Sequence, residues 1–154
     1  MFRNTLTEYQ LLGKVVIAAF LGGVVGMERE FAEKPAGLRT HMLVGAVSAL
    51  LVILATQMVS SFNPQNLIAT DPIRIIQAIV VGISFLGAGT ILKYNRDGAR
   101  NVEGLATSAS ILSVSAIGIA VALDVLVLAI GVTVLNVFIN WGSMLLIRRA
   151  KSNT

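Results

Sequence analysis

The chain has no cysteine, one histidine, three prolines and little charge, with Lys, Arg, Asp and Glu making up 13% of its 154 residues. Each scarcity closes off a class of chemistry. Without cysteine there is no disulfide, no thiolate nucleophile and no zinc–thiolate cluster. With His41 the sole histidine, histidine-rich metal centres are excluded. No HExxH, GxSxG or P-loop pattern occurs, and Ser108, Ser110, Ser113 and Ser115 have no base in their own segment, so the chain is not expected to be an enzyme. The net charge of +4 comes without a dense basic patch interleaved with aromatics, which argues against nucleic acid as a partner. A soluble domain carries roughly 25% charged residues. Here 55% of residues are hydrophobic, more than one small core can hide. The composition is that of an integral membrane protein, whose first partner is the lipid bilayer. The start, MFRNTLTEYQ, carries Glu8 and no long apolar run, so it does not read as a cleavable signal.

A membrane-spanning helix needs about 20 mostly apolar residues. Five stretches qualify, at 11–27, 42–59, 73–92, 105–122 and 125–147, in one transmembrane domain covering 1–154. The last two are nearly continuous. One helix through both would be about 65 Å long at ~1.5 Å per residue, roughly twice the hydrocarbon core. The chain must therefore reverse near Leu123-Asp124, although that turn has neither Gly nor Pro. Lys and Arg alternate between connections: Arg29, Lys34 and Arg39; none at 60–72; Lys93, Arg96 and Arg100; none at 124; then Arg148, Arg149 and Lys151. The positive-inside rule reads this as N-terminus outside and C-terminus cytoplasmic. Arg3, Lys14 and Arg74 are the outer minority. Arg74 is placed to pair with Asp71, and Trp141 falls near the inner interface.

The segment EREFAEKPAGLRTH, residues 28–41, holds six charged side chains and the histidine between two apolar runs. Orientation explains Arg29, Lys34 and Arg39 but not Glu28, Glu30 and Glu33, since acids contribute little to it. Pro35 and Gly37 make a turn. Arg39, Thr40 and His41 then enter span 2, where a guanidinium near the membrane needs a partner. Glu28 or Glu30 is expected to pair with Arg39 across the hairpin. That pair is either a structural clasp or part of a site for a ligand or partner. His41 is either a hydrogen-bonded interface residue or an acid-responsive switch.

Small residues suggest close helix packing: Gly22 and Gly26 in span 1, Gly82, Gly87 and Gly89 in span 3, and one face of span 4 with Ala106, Ala109, Ser113, Ala116 and Ala120. They serve contacts within the chain or a homo-oligomer. Thr133, Asn136 and Asn140 line one face of span 5 and are expected to bond a neighbouring helix. The two inner hairpins also resemble each other. FLGG (20–23), GLRT (37–40) and VSAL (47–50) are answered by FLGAG (85–89), GLAT (104–107) and VSAI (114–117), with a shift of two in the loop. Both hairpins run in the same direction, so this reads as a parallel repeat about an axis along the membrane normal, with span 5 added.

Acids lie only at span edges: Asp71 and Asp124 outside, and Glu28, Glu30, Glu33, Asp97 and Glu103 inside. A carrier usually places ligands near mid-membrane. Mg²⁺ keeps several waters and needs only one or two carboxylates, so Asp71 and Glu28 stand as its candidate ligands. No resident cofactor is implied, and Mg²⁺ enters only as a ligand or substrate.

GGVVGMEREFAEKPAGLRTHMLVGAVSALL and DPIRIIQAIVVGISFLGAGTIL resemble the signature blocks of the MgtC/SapB family of bacterial membrane proteins. GLATSASILSVSAIGIAVAL is similar but looser: Ala106 and Ser108 replace a usual Thr and Ala, Leu112 a frequent Trp, and Ser84 a glycine of the preceding block. The resemblance covers about residues 10–123. It implies an all-helical, roughly five-span protein of the bacterial inner membrane, linked to magnesium limitation and in some members to acid stress and survival in host cells. It further implies a regulator of other membrane proteins, the ATP synthase among them, with a Mg²⁺ transporter or channel component as the alternative. Many relatives carry a soluble C-terminal domain, and this chain reads as a short form without it.

Overall fold

A computed structural model describes residues 5–62, 72–96 and 99–152. The chain is an all-α bundle: α1 (Thr5–Phe31), α2 (Leu38–Phe62), α3 (Pro72–Gly89), α4 (Leu105–Ala122) and α5 (Leu126–Ser152). Between α3 and α4 lies a two-stranded hairpin, β1 (Leu92–Arg96) and β2 (Ala99–Glu103), paired antiparallel with Leu92 opposite Glu103. Thr7–Phe31, Leu38–Val59 and Leu105–Ala122 are long and apolar enough to cross a membrane, and Ile73–Gly89 and Leu126–Gly142 are shorter apolar helices.

The expected third span, 73–92, is too long. The helix ends at Gly89, where Thr90 and Ile91 bond back three residues to Gly87 and Ala88 and the Thr90 hydroxyl bonds the Gly87 carbonyl at 2.7 Å. The chain then extends into the hairpin rather than a plain charged loop. Gly104 joins β2 to α4 at φ 90°, and a Cβ there would strike the Thr90 carbonyl, so glycine is needed twice over.

The reversal before α5 falls where the apolar run demanded it. Ala122 ends α4, and Asp124 takes φ 63°. Asp124 N–H bonds Val121 O and Val125 N–H bonds Ala120 O, both at 3.0–3.1 Å. That is a Schellman ending with aspartate in the left-handed position usually given to glycine. The end of α1 repeats it with Glu33 at φ 53°, Glu33 N–H on Glu30 O and Lys34 N–H on Arg29 O.

The core sits where α1, α2 and α4 meet, around Ala18, Val25, Ala49, Val114 and Val121, none of them exposed. Backbone meets backbone there. A Cβ on Gly22 would run into the His41 carbonyl, one on Gly45 would lie 2.6 Å from Ala18 O, and one on Gly118 would run into Gly45 O. Large apolar side chains point outward instead: Phe20, Phe85, Val127 and Phe138 are 67–87% exposed. Such a belt is out of place in water and ordinary in lipid.

Two expectations need correction where they concern packing within the chain, and the homo-oligomer alternative is untouched by them. Of the span-3 glycines, only Gly87 abuts another helix, at Ser108, while Gly82 and Gly89 face open space. On α4, Ala106, Ala109 and Ala116 are exposed, and the inner face carries Thr107, Ser110, Ser115 and Gly118. In hydrocarbon a hydroxyl gains more from a partner helix than a methyl group does, so the hydroxyl face turns inward. The span-5 expectation holds for Asn136 and not for Thr133, whose hydroxyl donates to Ala129 O of its own helix at 2.8 Å. Asn136 Nδ2 donates to Ser113 Oγ at 2.7 Å, tying α5 to α4.

The repeat is visible in space. The hydroxyls of Ser48 and Ser115, matching residues of the two VSA elements, meet each other at 2.9 Å across a separation of 67 residues. Gly22 abuts His41 while Gly87 abuts Ser108. His41 and Ser108 are related by that same interval. Thus α1 lies on α2 as α3 lies on α4, and the approximate two-fold axis passes between α2 and α4 at the serine pair.

Candidate functional site

Where α1 and α2 connect, the bundle holds a buried polar cluster. Arg29 closes α1 and is 4% exposed. It follows Val25 and Gly26 by helical steps of four and three, so the phase that buries them turns Arg29 inward. Its Nη2 donates to Thr107 Oγ1 on α4 at 2.7 Å. His41, in the first turns of α2, is fully buried. Its Nδ1 lies 2.8 Å from Gly37 O, and its Nε2 lies 2.7 Å from Ser110 Oγ. A carbonyl only accepts, so Nδ1 carries the proton and the Ser110 hydroxyl donates to Nε2 in the neutral ring. Ser110 therefore does meet a base, one that comes from another helix. Glu30 Oε2 accepts the Leu38 backbone N–H at 2.9 Å and caps the start of α2 from outside it. Gly37 leaves room for that carboxylate, because a Cβ there would collide with it.

Arg39 does not pair with Glu28 or Glu30. It is exposed, and Arg29 is the guanidinium that goes inside. The sequence signal for this was the phase of α1, while the repeat gives none: Thr107 of GLAT is buried, and its counterpart in GLRT, Thr40, is exposed. Lys34 and Pro35 are exposed as well, so with Arg39 and Thr40 they form the outer surface of the connection. Glu28 is half-buried at the rim of a cavity of about 460 Å³ between α1 and α5, facing Val137 and Trp141. Its Oε2 and the Nε of Arg29 are buried without a hydrogen-bond partner among the described residues.

The opposite end of the bundle is fastened by a pair that the sequence did not disclose. Lys14 Nζ lies 2.6 Å from Asp124 Oδ2 and 3.4 Å from Ala122 O, joining α1 to the turn before α5. Both residues were assigned to the outer side from charge counting, and they do share one end. Arg74 and Gly82 line a groove of about 590 Å³ between α2 and α3 that shares no residue with the Arg29 cluster. Asp71, the expected partner of Arg74 and a candidate Mg²⁺ ligand, lies outside the described residues. Among the described residues, no three His, Asp or Glu side chains come close enough together to hold a metal ion.

Several known proteins are similar to the chain in sequence. YhiD of Escherichia coli K12, whose name proposes magnesium transport, is 39% identical over 108 residues, covering 70% of this chain and 48% of YhiD. SapB of Bacillus subtilis is 36% identical over 120 residues, covering 78% of this chain and 50% of its own. MgtC of Brucella abortus is 40% identical over 102 residues, covering 66% and 38% respectively. The chain spans about half the length of the curated relatives it matches, or less. No solved structure matches it. The MgtC family pattern runs through residues 15–148, and with its apolar helices the chain is a membrane protein that belongs to the MgtC family.

Proposed function

We propose that this chain is a multi-pass protein of the bacterial inner membrane that regulates other membrane proteins during magnesium limitation or stress. In this reading the N-terminus lies outside, and the Arg29 cluster is at the cytoplasmic end. The observation that carries it is how the buried polar groups are used. Arg29, His41, Ser48, Ser110 and Ser115 bond across α1, α2 and α4, and glycine contacts close the helices on one another. Such bonds set the shape of a bundle. What remains for recognition is its outside, including Lys34, Pro35, Arg39 and Thr40 at the cytoplasmic end. The magnesium link comes from the family and from the name of YhiD. The test is quantitative cross-linking in native membranes, followed by assay of the captured protein with and without this chain. One stoichiometric membrane partner whose activity shifts bears the reading out. A chain recovered only with itself, or with a partner whose activity does not move, overturns it.

The second reading is a Mg²⁺ carrier. It is favoured by the unpartnered buried oxygen of Glu28 beside a cavity. A hydrated cation needs few protein oxygens, so Glu28 at the inner end and Asp71 at the outer end would each serve as a ligand along its path.

A further inference from the structure

The approximate two-fold axis that exchanges α1 with α3 and α2 with α4 also relates two grooves. One lies between α1 and α4, and α5 packs over it: Asn136 bonds Ser113 on α4, and Val137 and Trp141 face Val24 and Glu28 on α1 across the cavity of about 460 Å³. Its counterpart lies between α3 and α2, and among the described residues no helix occupies it. Leu51, Ala55 and Met58 of α2 and Arg74, Ala78 and Gly82 of α3 line this open space of about 590 Å³. The α3 wall is low, since a Cβ on Gly82 would touch nothing within 4 Å. A wall of that kind admits another helix backbone at close range.

Charge at the two grooves matches in kind. Beside the covered groove, Lys14 on α1 holds the carboxylate of Asp124 at 2.6 Å, immediately before α5 begins. Beside the open groove, Arg74 stands near the start of α3, at the same end of the bundle. It is exposed and has no hydrogen-bond or ion-pair partner among the described residues. A guanidinium at a lipid-facing rim is stabilised by an anion.

We propose that the α2/α3 groove docks one transmembrane helix of a partner protein, built like α5, with a small or apolar face and a carboxylate at its Arg74 end. This rests on the regulatory reading above and names the chemistry of the partner. Bare acyl chains would fill the same space but would make no use of a carboxylate.

The absence of cysteine makes the test direct. The full chain, labelled with an acceptor dye at Val81→Cys on the exposed side of α3, is reconstituted in phosphatidylcholine vesicles. The probe is a donor-labelled synthetic peptide of residues 122–147, which carries α5 with Asp124. Saturable energy transfer is expected above that of random mixing. Arg74→Gln in the protein and Asp124→Asn in the peptide should each weaken it at least fivefold, and together no further. Gly82→Leu should block it, and Lys14→Gln should leave it unchanged. Gly82→Leu faces open space, so circular dichroism and elution volume should match the parent chain. Transfer no greater than random mixing would mean that lipid alone fills the groove, and would overturn the proposal. So would transfer lost in Lys14→Gln but kept in Arg74→Gln, since the peptide would then be displacing the chain's own α5. A stoichiometric partner cross-linked elsewhere than α2 and α3 would sink this inference and leave the regulatory reading standing.

Discussion

Replacing Thr107 by valine keeps the shape of the side chain and removes the oxygen that Arg29 Nη2 bonds at 2.7 Å. Arg29 is 4% exposed and Thr107 2%, so water cannot readily take the place of the lost oxygen. A hydrogen bond to a charged group contributes about 1.5–3 kcal/mol, and leaving the charged partner unsatisfied forfeits it. Thr107→Val should therefore destabilise the bundle by about 2 kcal/mol. Arg29→Met removes the charge itself and fills similar space with apolar atoms. Such replacements of buried ionic groups are often neutral or stabilising. In the Arg29→Met background, Thr107→Val should cost less than about 0.5 kcal/mol, giving a coupling of about 1.5 kcal/mol. Arg39→Met, on the exposed guanidinium, should stay within about 0.5 kcal/mol. Reversible unfolding in mixed micelles, followed by Trp141 fluorescence, reads all five proteins. Equal cost of Thr107→Val with and without Arg29 would refute the reasoning, as would an Arg39 variant that falls further than the Thr107 one.

Three further outcomes follow from the same geometry. Gly118→Ala should cost about 1–3 kcal/mol through overpacking against the Gly45 carbonyl, while Gly82→Ala should be close to neutral in the same unfolding assay. A double-mutant cycle on Ser48→Ala and Ser115→Ala should return a coupling near ~0.6 kcal/mol, the usual worth of such a bond between membrane helices. Lys14→Gln should cost about 0.2–1 kcal/mol, and the loss should shrink in high salt, because Asp124 is 73% exposed.

Much of the bundle was legible because membrane physics writes it in plain runs. Apolar length separated five helices, and the excess length of 105–147 forced a reversal that the chain makes at Asp124. The hairpin after α3 was hidden, since residues near Lys93 carry charge and read as a connection whether or not they pair. The small residues of α4 misled for a different reason. Periodicity finds a face, but it does not say whether methyls or hydroxyls turn inward, and the bonds of Thr107, Ser110 and Ser115 settle that only once their partners on α1 and α2 are in place. In the same way Arg39 and Arg29 look alike as cations flanking one turn. The phase of α1 decides between them, and it is read from the buried run that ends at Val25 and Gly26. The Lys14–Asp124 pair spans 110 residues, a separation at which charge counting gives a shared side and not a contact.

The most direct test of a regulator that carries no ion of its own is Mg²⁺ entry into proteoliposomes. They should contain only this purified chain, shown to be folded by circular dichroism, with Asp71→Asn and Glu28→Gln alongside. Entry at the rate of empty vesicles for all three is the expected result. Saturable entry through the parent chain, lost in either variant, would contradict the account and turn the edge carboxylates into a pathway.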